Sequence, residues 1–247
     1  MIRRTLFALC VAAALSGCGA SGQLDRLSAG ESGRVVDVRA GDALTLDSGL
    51  VVRLAGVEAP HRPALGAQQA IEALTKLTQG QAVTLYYGGA RRDRYGRAIA
   101  QVRLGRHGVW VQDALLRAGE VRVHTWPDNS ALAGITLAAE ARARIANKGL
   151  WAMPPYRVLL PSEAAAVTGF TIIEGRVARA SAKPGSVWLD FAEGGTAILV
   201  PAQAVPAFRV AGVNFQALSG RLVRVRGWVS GGVLTLDHPA ALERLSS

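Results

Sequence analysis

The sequence predicts an α+β protein, mainly β, built as two small barrels in series. Three observations carry this. Short β-branched runs alternate with Gly-containing turns between residues 34 and 104, and a segment of helical period sits between the third and fourth of those runs. A second set of five alternating runs follows a proline-marked break near Pro154-Pro155. With 247 residues, 50% of them hydrophobic, the chain has apolar surface enough for two ordinary cores.

The chain opens with Met1-Ile2-Arg3-Arg4 and an apolar stretch over 5–14, a positive then apolar pattern too short to span a membrane and suited to export. It ends Leu15-Ser16-Gly17-Cys18, which resembles a bacterial lipobox, so residues 1–18 are expected to be a lipoprotein signal peptide. Cys18 is then the lipidation site, and the protein is expected to face the periplasm as a lipoprotein of the cell envelope. Ordinary cleavage near Ala20 is the alternative. The only other cysteine, Cys10, lies inside the signal, so the folded part depends on packing rather than disulfides.

Residues 19–32 form a polar expected linker, and 33–152 the first domain. Its β-branched runs over 34–39, 43–47 and 50–57 predict a three-stranded meander, with turns at Gly41-Asp42 and Ser48-Gly49. Leu65, Ile71, Leu74 and Leu77 predict a helix over 64–79, stopped by Gly80. Strands are expected over 83–87 and 98–104, then helices over 111–118 and 132–147. Five strands with a helix between the third and fourth, and three helices in all, describe an OB-type barrel, whose open face and loops commonly bind oligonucleotides.

Two stretches of this domain carry chemistry. The strand Val52-Arg53-Leu54 runs on to Val57-Glu58 and is halted by Ala59-Pro60-His61, because proline cannot donate to a sheet ladder. The loop Arg91-Arg92-Asp93-Arg94-Tyr95-Gly96-Arg97 holds four arginines in seven residues and suits an anion. The net charge of +10, with 16 Lys and Arg against 10 Asp and Glu in residues 33–151, favours polyanions or an anionic membrane surface. Without cysteine in the mature domains or a paired-His motif there is no zinc signature, and no Gly-rich nucleotide loop or Ser nucleophile elbow occurs.

The order and spacing of Ala40-Gly41-Asp42, the strand 52–60, Asp93-Arg94-Tyr95-Gly96-Arg97, Leu116-Arg117-Ala118-Gly119 and Lys148-Gly149-Leu150-Trp151 resemble the staphylococcal nuclease (thermonuclease) family over about residues 33–151. That resemblance implies phosphodiester hydrolysis, with Arg53 and Arg97 stabilising the phosphate charge through a planar fork that lysine lacks. It implies a calcium ion held by Asp42, Glu58 and the carbonyl of Ala59. It further implies contacts to single-stranded DNA or RNA by Arg91, Arg92, Arg94, Tyr95 and Trp126.

The sequence departs from the family at critical positions. Glu58 stands where an aspartate is usual, and Ala40-Gly41-Asp42-Ala43 replaces an Asp-Gly-Asp-Thr turn, which thins the metal site to a weakened one. His61 occupies the position of the glutamate regarded as general base. Three readings are open for it: a base kept neutral by a nearby cation and Arg62, a metal or phosphate contact, or an exposed turn residue. His107 and His124 are isolated and read as structural.

Residues 153–168 are an expected linker, and 169–245 a second OB-type barrel, with strands near 170–177, 186–191, 197–200, 221–229 and 233–236. Arg224 and Arg226 alternate with Val223 and Val225, either as a solvated strand face or as a nucleic-acid groove. The leading expectation is an exported, thermonuclease-like binding protein for nucleic acid or a protein partner, membrane-attached through Cys18, with hydrolysis weakened or lost. An active metal-dependent nuclease using His61 and a structural envelope protein are the alternatives.

Overall fold

A computed structural model of the chain describes residues 21–105 and 107–246. Cys18 and the expected signal over 1–18 lie outside the described residues. No helix among the described residues is long and apolar enough to cross a membrane.

The first barrel comprises β1 (Ser28–Ala40), β2 (Ala43–Leu46), β3 (Val51–Leu54), β4 (Val57–Glu58), α1 (Ala67–Thr78), β5 (Ala82–Tyr87), β6 (Ala98–Leu104), α2 (Val111–Ala118), β7 (Arg122–Val123) and α3 (Ala133–Ile145). Its closed order is β1-β2-β3-β6-β5, with β3 and β6 parallel and the other neighbours antiparallel. Period-two alternation sends Leu44, Leu46, Val52 and Leu54 inward to meet Val83, Leu85, Ala100 and Val102. Each Val or Leu among them, taken from water, contributes about 1.5–3 kcal/mol. Helix α1 contributes Ala70 and Leu74 to the same core. The minor pair β4 and β7, antiparallel with Val57 opposite Val123, lies outside the barrel ring.

The connection between the barrels holds a 3₁₀ turn at Pro154–Tyr156 and the short helix α4 (Pro161–Ala164). The second barrel follows: β8 (Gly169–Lys183), β9 (Ser186–Phe191), β10 (Ala197–Val200), α5 (Val205–Val210), β11 (Leu222–Ser230), β12 (Val233–Thr235) and β13 (Leu242–Arg244). The ring runs β8-β9-β10-β12-β11 and closes through the β11–β8 pairing, while β13 extends the edge of β11. As in the first barrel, the third and fifth strands of the ring are parallel and a helix precedes the fourth. Both halves therefore have the OB arrangement.

Three expectations are corrected. Within the stretch taken as linker over 19–32, residues 21–26 form a 3₁₀ turn and residues 28–32 are strand. Leu24 is the reason: it is fully buried against Tyr86, Trp110 and Leu132, which a polar composition around it conceals. Residues 153–168 are likewise packed, with Tyr156, Pro161 and Ala164 buried and Leu159 bridged to Ile173. Finally, Arg224 and Arg226 are neither a solvated face nor a groove. Arg226, 2% exposed, pairs with Glu140 of α3 at 2.8 Å and Glu243 at 2.6 Å, and Arg224 pairs with Glu174 at 2.6 Å. Arg226 thus ties the barrels together beside an apolar seam of Ala143, Trp151 and Ile172.

Candidate functional site

The turn between β1 and β2 sets one wall of the site. A Cβ on Gly41 would lie 2.5 Å from the Cβ of Ala70 and 2.8 Å from that of Ala59, so only glycine lets this turn rest on α1 and the chain beyond β4. The approach buries Asp42, 1% exposed, whose Oδ2 accepts the backbone N–H of Ala59 at 3.3 Å. On β3, Val52 and Leu54 face the core, so Arg53 faces outward between them. Its Nη2 stands 3.5 Å from Asp42 Oδ2 and 3.5 Å from Glu58 Oε2, and its Cζ lies 5.3 Å from the centre of the Trp126 ring. Its buried Nε has no hydrogen-bond partner among the described residues.

The β4–β7 pairing places Glu58 opposite Arg122 and brings His124 within reach of it. His124 Nδ1 donates to Glu58 Oε2 at 2.6 Å. An ionised carboxylate only accepts, which fixes that proton on Nδ1. Burial pushes the Glu58 carboxyl up, but the hydrogen bond and charge of His124, with Arg53 and Arg122, outweigh it and hold the group below its ordinary value.

The arginine loop is built around Asp93. Its Oδ1 accepts the N–H groups of Tyr95 at 2.9 Å and Arg97 at 3.0 Å, and its Oδ2 accepts Arg97 Nε at 2.7 Å. Gly96, at φ +78°, supplies the left-handed residue that the turn needs. Burial raises the Asp93 carboxyl, and these donors more than offset it, leaving it lowered. Because Asp93 engages Nε, the outer edge of the Arg97 fork is left toward the cavity that this residue lines. Tyr95 is 67% exposed, with the guanidinium groups of Arg94 and Arg97 at 4.8 and 5.5 Å from its ring centre.

One cavity of about 620 Å³ gathers Arg53, Glu58, His61, Arg97, Tyr95 and Trp126, with Arg92 and Arg94 also on its wall. Arg91 does not line it; its guanidinium lies 4.8 Å from the Tyr87 ring centre. Arg92 is already tied to Glu31 and to the Tyr87 hydroxyl, so its first role is to anchor the loop to β1. Asp42 and Ala59 sit behind the cavity wall rather than on it.

Sequence reading missed His124 and Trp228, both on this wall. An isolated histidine looks structural, and its partnership with Glu58 depends on two-residue strands too short to show a period. Trp228 comes from the other barrel, and its strand carried no signal of which way it faced.

His61, its side chain 51% exposed, lines the cavity with Nε2 3.7 Å from Asp42 Oδ2. The charged group nearest this ring is the Asp42 carboxylate, and Arg62 turns away to hydrogen-bond Gln68. As for calcium, Asp42 and Glu58 already share Arg53 as counter-charge, and Glu58 also holds His124. Among the described residues, no three His, Cys, Asp or Glu side chains stand together to hold an ion. Calcium takes six to eight oxygen ligands, and this donor set does not fit a tightly held ion.

The fold and site thus define a class: an OB-type barrel whose cavity offers two arginine forks and exposed aromatic rings to an anion. Residues 51–153 match the family model described as staphylococcal nuclease homologue. A probable staphylococcal-like nuclease from Oryza sativa subsp. japonica is 34% identical over 102 residues, spanning 41% of this chain and 28% of the relative. Over residues 51–153 the chain is therefore similar to the staphylococcal nuclease family, and it spans less than a third of the length of this relative. Asp42 precedes the matched segment, whereas Arg53, Glu58, His61 and Arg97 fall within it.

Proposed function

We propose that the first barrel binds the phosphodiester backbone of nucleic acid through Arg53 and Arg97, with hydrolysis weakened or lost. The observation that carries this reading is the Arg53 guanidinium standing between Asp42 and Glu58 while sharing a cavity with Arg97, Tyr95 and Trp126. The acids that a metal-dependent nuclease would turn toward an ion are here counter-charges of an arginine. A phosphate reaching the Arg53 and Arg97 forks meets charge-assisted donors, each worth about 1.5–3 kcal/mol. Exposed Tyr95 and half-buried Trp126 suit the bases that accompany it.

A second reading is a working nuclease in which His61 activates water. It is favoured by the position of the half-exposed imidazole, on the cavity wall and facing a buried carboxylate. The proposal also takes the protein to be exported and attached through Cys18 to a membrane of the envelope. Its support is the charged-then-apolar pattern of residues 1–17.

The deciding experiment incubates the protein with single-stranded DNA and RNA in calcium, magnesium, manganese or chelator, and measures cleavage and salt-dependent binding together. Binding without cleavage, and a salt slope shallower by about 0.7 for each phosphate contact removed in Arg53→Ala and Arg97→Ala, supports the first reading. Metal-dependent cleavage that disappears in both His61→Ala and Arg53→Ala replaces it with the second.

A further inference from the structure

The second barrel supplies a wall of the cavity. Trp228 lies on β11, remains 55% exposed, and lines the same space as Arg53, Arg97, Tyr95 and Trp126. Strand alternation explains how it arrives there. Residues 226 and 228 lie on one face of β11, and Arg226 on that face is buried against Glu140 of the first barrel. Two residues further along, the face leaves the interface and opens on the cavity.

An aromatic path joins the two walls. The rings of Trp126 and His124 are centred 4.4 Å apart, and those of His124 and Phe170 4.5 Å apart. Phe170 on β8 is the cross-strand partner of Trp228. Phe170 flanks the Trp228 ring, yet among the described residues more than half of it stays open to solvent at the mouth of an arginine-lined cavity, and charge complementarity selects an anionic ligand with flat apolar faces.

We propose that Trp228 is a base-stacking residue and that the ligand is a single-stranded nucleic acid held across both barrels, its phosphate at Arg53 and Arg97 and a base against Trp228. This inference rests on the phosphate-binding reading above. Single strands are specified because a base stacked in a duplex does not present its face to a side chain, whereas an unpaired base does.

The test uses the full protein and three fluorescent probes of about eight nucleotides: single-stranded oligo-dT, an abasic strand of the same length, and a duplex. Trp228→Ala should weaken oligo-dT binding roughly 5- to 100-fold while leaving the salt slope unchanged, since stacking releases no counterions. Trp228→Phe should restore most of the loss, and the abasic strand should bind wild type and Trp228→Ala alike. Because Trp228 is half exposed, an unchanged melting temperature serves as the check on folding. Equal oligo-dT affinity in wild type and Trp228→Ala, with Arg53→Ala and Arg97→Ala still weakened, would overturn this inference alone, as would a duplex bound as tightly as the single strand. Wild type binding none of the probes would overturn the phosphate-binding reading and this inference with it.

Discussion

Replacing Glu140 by glutamine tests whether the barrels act as one unit. Glu140 is fully buried and accepts from Val123 N–H at 2.7 Å, from Arg226 Nη1 at 2.8 and 3.1 Å, and from Arg144 Nη1 at 3.3 Å. Glutamine retains one acceptor for Val123 but turns an amide donor on the guanidinium groups, leaving Arg226 with only Glu243 as its anionic partner. Breaking a buried pair in this way costs about 3–5 kcal/mol. At roughly 2–4 °C per kcal/mol for a chain of this size, the melting temperature should fall by roughly 6–20 °C. Arg226→Met should cost a similar amount, since it strips Glu140 of its closest cation. The double variant should cost less than the sum by about 2 kcal/mol or more, because the Glu140–Arg226 pair is then removed as a unit, Glu243 keeps Arg224, and only the peripheral Arg144 loses its carboxylate. Urea denaturation followed by circular dichroism and tryptophan fluorescence measures all three. Single costs below about 1 kcal/mol, or strict additivity, would refute the idea that this pair joins the barrels.

The pH profile should fall on the acid side. Burial raises Glu58 and Asp237, but His124 and His238 respectively outweigh it and lower both; Glu31, bonded to Tyr87 and Arg92, is lowered to about 2. Acids depressed in the folded state lend stability that is complete above their unfolded values and lost as pH falls through the folded ones. Urea midpoints should therefore hold above pH ~5 and decline towards pH ~2; a flat profile there would refute these pairings. The exposed Glu31 pair is screened and contributes under about 1 kcal/mol of this. Leu24→Ala should destabilise the protein by about 2–5 kcal/mol in the same urea assay, as for any filled core site. A neutral result would return residues 21–27 to the status of a linker.

What was legible in the sequence followed from how far the physics reaches along the chain. Strand 98–104 and helix 111–118 keep their expected bounds, because each is closed by a glycine of positive φ, Gly105 and Gly119, a stop that is local to the sequence. Arg53 and Arg97 were visible through short motifs, and their shared cavity follows from the parallel pairing of β3 with β6. Leu24 was hidden because one apolar residue has no period. Arg226 was misjudged because its partner stands on a helix 86 residues away, and the alternation of β11 reports that 224, 226 and 228 share a face without reporting what covers it.

That shared face connects stability to function. Arg224 and Arg226 spend their charge on Glu174, Glu140 and Glu243, so the basic stripe is not available to a polyanion. The same contacts hold β11 beside β7, where Arg226 Nη1 also donates to the Val123 carbonyl at 3.2 Å and His238 Nε2 meets the Thr125 hydroxyl at 2.5 Å. These bonds grip the residues on either side of His124, which in turn holds Glu58 next to Arg53. A second barrel fixed at β7 therefore bears on the cavity in two ways: through Trp228 directly, and through the position of the carboxylate that shares the Arg53 guanidinium.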